Sequence, residues 1–172
     1  DNELSRRLVE VPSIGPIGAS LLAMKVTDPH AFRCGRDLSA WIGLPQKDHS
    51  TAGKTRLGVI TRAGDEALRS VLVAGATAVI QQAQKGRGYS PPWLVELLKR
   101  KPPKLAAVAL ANRMTRVAWK LMVSGERYNP ARIEAQSAAR EGRGAALRGG
   151  SAPRPSLTSH ITSREVVAMT EA

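Results

Sequence analysis

The residues best equipped for chemistry stand in one short polar stretch, QKDHSTAGKTRLG, from Gln46 to Gly58. It gathers His49, Ser50, Thr51, Lys54, Thr55 and Arg56. A hydroxyl among cations suits attack on a phosphate. A base or metal makes the hydroxyl reactive, and the cations neutralise charge that collects on the phosphate in the transition state. Ser50 and Thr51 are the candidate nucleophiles, and Lys54 and Arg56 the candidate phosphate clamps. By residue type alone, a solvated polar loop fits the stretch better. Gly53-Lys54-Thr55 also suggests a P-loop, but the first glycine of that motif would fall on Asp48, and no strand is expected ahead of it.

A second candidate is the turn VPSIGPIGA, from Val11 to Ala19. Gly15 is expected to permit a backbone conformation that a Cβ would hinder. The amides that open the following helix are free to bind a phosphate oxygen, with Gly18, Ala19 and Ser20 keeping the surface low. Helix-hairpin-helix modules hold a DNA backbone in this way, without reading sequence. The competing reading is an ordinary corner between two helices. A third candidate is a basic helix face. Arg113, Arg116 and Lys120 follow at i, i+3 and i+7, with Leu110, Met114, Val117 and Leu121 on the other side. Such cations release counterions on binding nucleic acid, or simply form a solvated face. No metal site is expected: Asp48 and His49 are adjacent and point apart, and no spaced acidic cluster occurs. Cys34 reads as a small buried side chain.

The elements that must position these residues are nearly all helical. A helix is expected from Ile17 to Val26, and another over RDLSAWIG, closed by Gly43. Asp65 opens a long helix to about Gln84 as its N-cap or first-turn acid. Leu68, Val71, Leu72, Gly75 and Val79 follow the helical period, and apolar residues on the other sides make this helix the expected buried centre. Pro92 and Pro103 start two more helices, the second closed by Gly125. Leu4 to Val9 looks like the end of a helix that began earlier, so the chain is expected to be a fragment. The fold class is mostly α, with little or no sheet.

The chain has 172 residues and a net charge of +12. Residues 1–128 carry 20 Lys and Arg against 10 Asp and Glu. This excess points to a polyanion, most often nucleic acid, and disfavours a purely structural helical protein. Aromatics are only 3%, poor supply for a base-stacking platform. One cysteine excludes a disulfide framework and fits a reducing compartment. No apolar run approaches the roughly 20 residues needed to span a membrane, and DNELSRR does not read as a secretory signal. Residues 129–172 are rich in Ala, Gly, Ser, Arg and Pro, and are expected to be a disordered tail with one weak helix near Arg132–Arg140.

Taken in order, the hairpin, the FRCGRDLSAWIGL stretch, the STAGKTRLG loop, the GDEALR helix start and the ALANRMTRVAW helix resemble the C-terminal transposase domain of the bacterial "IS one-ten" insertion-sequence family. The resemblance runs from about Leu8 to Tyr128. It implies a domain, residues 1–128, that takes part in DNA transposition and recombination. It implies a serine nucleophile, carried onto Ser50 with Thr51 as the competing register. Mg²⁺ is expected through the acidic residues of a RuvC-like N-terminal half, which these residues do not include, and no cofactor is expected within this chain. The implied partners are DNA, a structured guide RNA and further copies of the protein, in the bacterial cytoplasm near the nucleoid. Ser13 stands where the family commonly has Gly. The alternative reading is a non-catalytic helix-hairpin-helix nucleic-acid-binding module, from a truncated or decayed transposase.

Because the tail offers nothing to bury, deleting residues 129–172 should leave the thermal midpoint nearly unchanged. A drop of more than about 5 °C in a thermal melt would place the tail in the core.

Overall fold

The computed structural model describes residues 3–51, 54, 56–132 and 135. The chain divides into two units, Asp1–Glu134 and Ala135–Ala172, and nearly all described residues belong to the first. The expected tail therefore lies almost entirely outside the described residues. Of its expected helix only the start is seen, with residues 130–132 helical.

The first unit is built of helices α1 (Glu3–Val9), α2 (Pro16–Lys25), α3 (Gly35–Ile42), α4 (Glu66–Gln84), α5 (Pro92–Arg100) and α6 (Pro103–Ser124). A 3₁₀ turn, Pro29–Ala31, precedes α3, and a two-stranded antiparallel ribbon, β1 (Gln46–Asp48) and β2 (Leu57–Ile60), lies between α3 and α4. The boundaries follow local chemistry. Proline opens α2, α5 and α6, where its missing N–H costs nothing. Gly43 and Gly125 close α3 and α6 in the left-handed conformation. Asp65 caps α4 by accepting the Leu68 amide at 2.8 Å.

The hub is α6. It packs against α4, α3, α5 and α1. Its buried stripe includes Ala107, Leu110, Ala111, Met114, Ala118 and Leu121. The small residues let neighbouring helices approach closely, and Leu110 and Met114 fill the centre. The expectation of an all-round buried α4 is corrected. Its inner stripe is Leu68, Leu72, Ala76 and Ile80, whereas Ala74 and Ala78 face outward. Alanine suits either side of a helix, so composition alone exaggerated the burial. The loop expected at Gln46–Gly58 is also corrected: its two ends belong to the strands of the ribbon, Gln46–Asp48 and Leu57–Ile60, and Thr51 bridges Lys54 between them.

The α1–α2 turn sits directly on α4. A Cβ at Gly75 would stand 2.1 Å from the Ser13 carbonyl oxygen, so only glycine admits the turn there. Gly15 does not use the conformational freedom expected of it. Its φ of −77° is open to any residue, and a Cβ there would meet nothing within 4 Å. The left-handed residue of the turn is Ser13, with φ of 74°. Two side chains lock helix ends from a distance. The Lys25 ammonium bonds the Asp65 carboxylate, joining the end of α2 to the cap of α4. The Arg7 guanidinium donates to the Gly125 carbonyl at the end of α6.

Gly75→Ala should lose about 1–3 kcal/mol of unfolding free energy in urea titrations, because two backbones must separate. Gly15→Ala should stay within about 0.5 kcal/mol of the parent. Equal losses at both positions would contradict this account of the turn.

The hydrogen bond from Lys25, and after it the Leu68 amide, hold the Asp65 carboxyl below its ordinary pKa. A lowered folded-state pKa contributes stability that is full above the unfolded value, about 3.9, and is lost as pH falls through the folded value. Asp65→Asn keeps a cap but loses the charge. The parent's stability advantage over it should be constant between about pH 7 and 5 and shrink below about pH 4. An advantage that persists at the acid end of a denaturant series would assign the effect to something other than this carboxylate.

Candidate functional site

The ribbon is short, and its sequence shows why it forms. Thr51 and Lys54 face each other, with the Thr51 amide donating to the Lys54 carbonyl at 3.3 Å and the Lys54 amide to the Thr51 carbonyl at 2.9 Å. That pairing leaves two residues between them, the length of a tight hairpin turn. Below it the His49 amide donates to the Arg56 carbonyl at 2.9 Å. Gln46 pairs with Ile60 and Asp48 with Leu57, so β2 holds one extra residue as a bulge. At the foot, the Thr61 amide donates to the Pro45 carbonyl at 2.8 Å.

The foot is anchored in the helical body. Gly64 passes so close to α3 that a Cβ there would lie 1.9 Å from the Trp41 carbonyl oxygen. Arg69, 9% exposed, donates from Nη1 to the Ile42 carbonyl at 3.0 Å. Its charge lies against the negative end of α3. Beyond the foot the ribbon is open: Gln46 to Thr51, Lys54, Arg56 and Val59 are all exposed.

Ser50 is the most constrained hydroxyl on the ribbon. Its amide donates to Asp48 Oδ1 at 2.8 Å, and its Oγ accepts the Arg56 amide at 3.0 Å. The nearby Ser50 side chain, then the Ser50 amide, and then the charge of His49 among the lesser influences, lower the Asp48 pKa. Asp48 is therefore ionised at neutral pH. His49 does not serve Ser50; its ring lies over Gly58, where a Cβ would be 3.2 Å from Nε2. Thr51 occupies the pairing position next to the turn.

The expected site residues fall in three places. Ser50, Thr51, Lys54 and Arg56 come together on the ribbon. Gly15 is exposed at the start of α2, and Gly18 is buried, its Cα side 3.4 Å (as a Cβ) from Val71 of α4. The turn bearing Gly15 seats ten residues along α4 from Asp65, roughly 15 Å from the foot of the ribbon. It borders an open cavity of about 330 Å³ lined by Glu10, Pro12, Ser13 and Gly75. Arg113, Arg116 and Lys120 are half-buried rather than a free basic face. The Arg113 guanidinium lies 4.2 Å from the Trp93 ring centroid, a cation–π contact. Arg116 Nε reaches the Asn112 carbonyl at 3.4 Å, and its backbone is packed under Gly35.

Two residues were missed. Asp48 has a local signal, Asp-x-Ser, in which the carboxylate accepts the amide two residues on. Arg69 has a weaker one, a cation beside Leu68 and Leu72 on an otherwise apolar stripe. A strand does precede Gly53-Lys54-Thr55, contrary to expectation, but it is followed by β2 and not by a helix, so no P-loop forms. Among the described residues no three of His, Cys, Asp or Glu gather to hold a metal ion. Among them, too, no helix is long and apolar enough to cross a membrane.

The described residues thus form a helical body that holds out an exposed ribbon of hydroxyls and cations. Residues 5–90 match the model of the transposase family described as IS116/IS110/IS902. The chain belongs to that family. It is 63% identical over 137 residues to a transposase of Sinorhizobium fredii, covering 79% of this chain and 35% of the relative. It is 42% identical over 125 residues to a family 20 transposase of Pseudomonas aeruginosa, covering 73% and 37%. It is 34% identical over 127 residues to the transposase for insertion sequence element IS1111A of Coxiella burnetii, covering 74% and 35%. The chain thus spans about a third of the length of these curated relatives.

Proposed function

We propose that this chain is the segment of an insertion-sequence transposase that presents Ser50 as the DNA-cleaving nucleophile. The observation that carries the reading is the setting of Ser50 Oγ. That oxygen accepts the Arg56 amide, lies beside the ionised Asp48 to which the Ser50 backbone amide is bonded, and is exposed on an arm that also carries Lys54 and Arg56. Attack by Oγ on a backbone phosphorus forms an Oγ–P ester and breaks one P–O bond of the strand. The hydroxyl proton leaves to solvent, and the departing ribose oxygen takes a proton from solvent. One phosphodiester replaces another, so the strand end stays available for rejoining without an external energy source. Lys54 and Arg56 offset the charge that builds on the phosphate oxygens.

The described residues do not make a Mg²⁺ site. On this reading the ion comes with the RuvC-like acidic residues of the rest of the family protein, and the serine is idle until that part is present. The α1–α2 hairpin adds a sequence-independent backbone contact in the manner of a helix-hairpin-helix, because α2 opens without a side-chain cap. A structured guide RNA, assembly with further copies and a cytoplasmic site of action near the nucleoid complete the proposal. The second reading, a nucleic-acid-binding module without chemistry, draws on the missing acidic cluster.

The test uses the full-length transposase carrying this segment, with its guide RNA and element-end DNA. Ser50→Ala should abolish covalent capture of DNA on denaturing gels while changing DNA affinity less than about twofold, and Thr51→Ala should retain capture. Capture by Ser50→Ala but not by Thr51→Ala would move the nucleophile one residue on. Capture by both variants would reduce the ribbon to a phosphate clamp.

A further inference from the structure

Where α5 hands over to α6 the sequence reads Lys99-Arg100-Lys101-Pro102-Pro103-Lys104, and all six residues are exposed. Four cations stand in six positions. Four other cations of the chain are held in ion pairs, Lys25 with Asp65, Arg33 with Asp37, Arg127 with Glu10 and Arg132 with Glu126. Among the described residues none of these four corner cations has an ion-pair partner. The nearest carboxylate in sequence is Glu96, one turn back on α5. An ordinary solvated helix face interleaves both signs. Here the like charges also cannot spread apart easily. Lys101 and Pro102 are extended, with ψ of 145° and 148°, and the two prolines fix their own φ.

The corner stands at the end of the helical body from which the ribbon projects. Gly35 lies against Arg116, and Ser39 Oγ donates to Asn112 Oδ1 at 2.9 Å, so α3 runs antiparallel to α6. Continuing that register brings Gly43 level with the second turn of α6, roughly 8 Å along its axis from Pro103. On the other flank Trp93 sits under Arg113, so α5 also descends toward the start of α6 and ends there at the corner. Lys47, Lys54, Arg56 and Arg62 of the ribbon and its foot, all exposed, belong to the same end.

We infer that the Lys99–Lys104 corner is a second phosphodiester-binding surface, which holds nucleic-acid backbone flanking the part that the ribbon engages. The inference rests on the nucleic-acid reading of the ribbon and extends it to residues of a different element. The contacts are ammonium and guanidinium groups on non-bridging phosphate oxygens. They displace condensed counterions and read no base edges, so they position a strand without selecting its sequence. The rigid proline corner keeps the cations gathered before binding, which reduces the ordering that binding requires. The phosphate chemistry is common to DNA and RNA.

The test measures binding of this chain to a short DNA duplex and to an RNA hairpin, by fluorescence anisotropy between about 50 and 200 mM salt. The variant is the combined Lys99→Ala, Arg100→Ala, Lys101→Ala and Lys104→Ala, compared with Lys54→Ala/Arg56→Ala; thermal melts confirm that both fold. The corner variant should flatten the slope of log K against log salt by about 3 and weaken binding at about 100 mM at least a hundredfold. An effect in the RNA arm alone would identify the held strand as RNA, and in the duplex arm alone as DNA. Unchanged slope and affinity in both arms, with the ribbon variant weakened, would overturn the corner and leave the ribbon reading standing. No binding of either probe by the parent chain would overturn both.

Discussion

Where the chain leaves α3 and where it returns to enter α4, two backbones pass at the closest distance a peptide allows. A Cβ on Gly64 would sit 1.9 Å from the Trp41 carbonyl oxygen, and one on Gly43, with its φ of 82°, 2.8 Å from that of Ala63. No side chain fits between them. The crossing therefore fixes the separation of the ribbon's two arms at their foot. Arg69 then seals it from inside, holding the Ile42 carbonyl that would otherwise be an orphan at the end of α3. Because Arg69 lies in the first turn of α4 and Asp65 caps the same helix, ribbon, α3, α4 and, through Lys25, α2 are joined within five residues of sequence. Loss of the Arg69 guanidinium would leave a buried acceptor unsatisfied, a cost of about 1–3 kcal/mol.

The consequence is a graded structure. The foot belongs to the cooperative core, which includes Leu38, Ile42, Leu44 and Leu68, all fully buried. The tip has only its own ladder, with exposed hydrogen bonds worth about 0.5–1.5 kcal/mol each. Local opening at the tip is thus far easier than at the foot. The Ser50 hydroxyl sits on this gradient. The hydroxyl accepts the Arg56 amide, while the bond to Asp48 comes from the Ser50 backbone amide. On the proposed reading, that one hydroxyl contact is exchangeable for a bond to an incoming phosphate, which leaves a nucleophile both aim and access. The aromatic residues contribute to the body instead: Trp41 packs edge-on to Phe32 at 5.8 Å, Trp93 carries Arg113, and Trp119 donates to the Pro29 carbonyl at 2.9 Å.

Helix ends were legible in the sequence because proline, glycine and the Asp65 cap act on their immediate neighbours. The bounds of α5, α6 and α4 follow from them within a residue or two. The ribbon was not legible. Gln46, Lys47 and Asp48 have no apolar alternation and no branched residue, so they lack a strand's signature. They are paired because the foot brings the arms together, a constraint between residues 20 apart along the chain. The role of Arg113 was hidden for a related reason. Helical periodicity places it with Arg116 and Lys120 on one side, but cannot tell that Trp93 of another helix stacks on Arg113. The Gly15 argument failed one step earlier, since glycine's permissiveness is informative only where the backbone uses it, and here Ser13 takes the strained position.

On the proposed reading, the physical arrangement separates binding from reaction. The cations and the hydroxyl reside on this segment, while the described residues gather no acidic set that could hold a metal. An exposed serine beside an ionised carboxylate is weakly nucleophilic, since the carboxylate's lowered pKa makes it a poor proton acceptor. Such a serine can rest against DNA phosphates without cutting them. Reactivity then depends on a second element docking close enough to raise the serine's nucleophilicity. The ribbon's anchored foot makes that docking geometrically meaningful, because it carries Ser50 at a fixed place relative to α3 and α4. A ribbon on a flexible tether would have needed a further ordering step, at roughly 1–2 kcal/mol for each residue fixed.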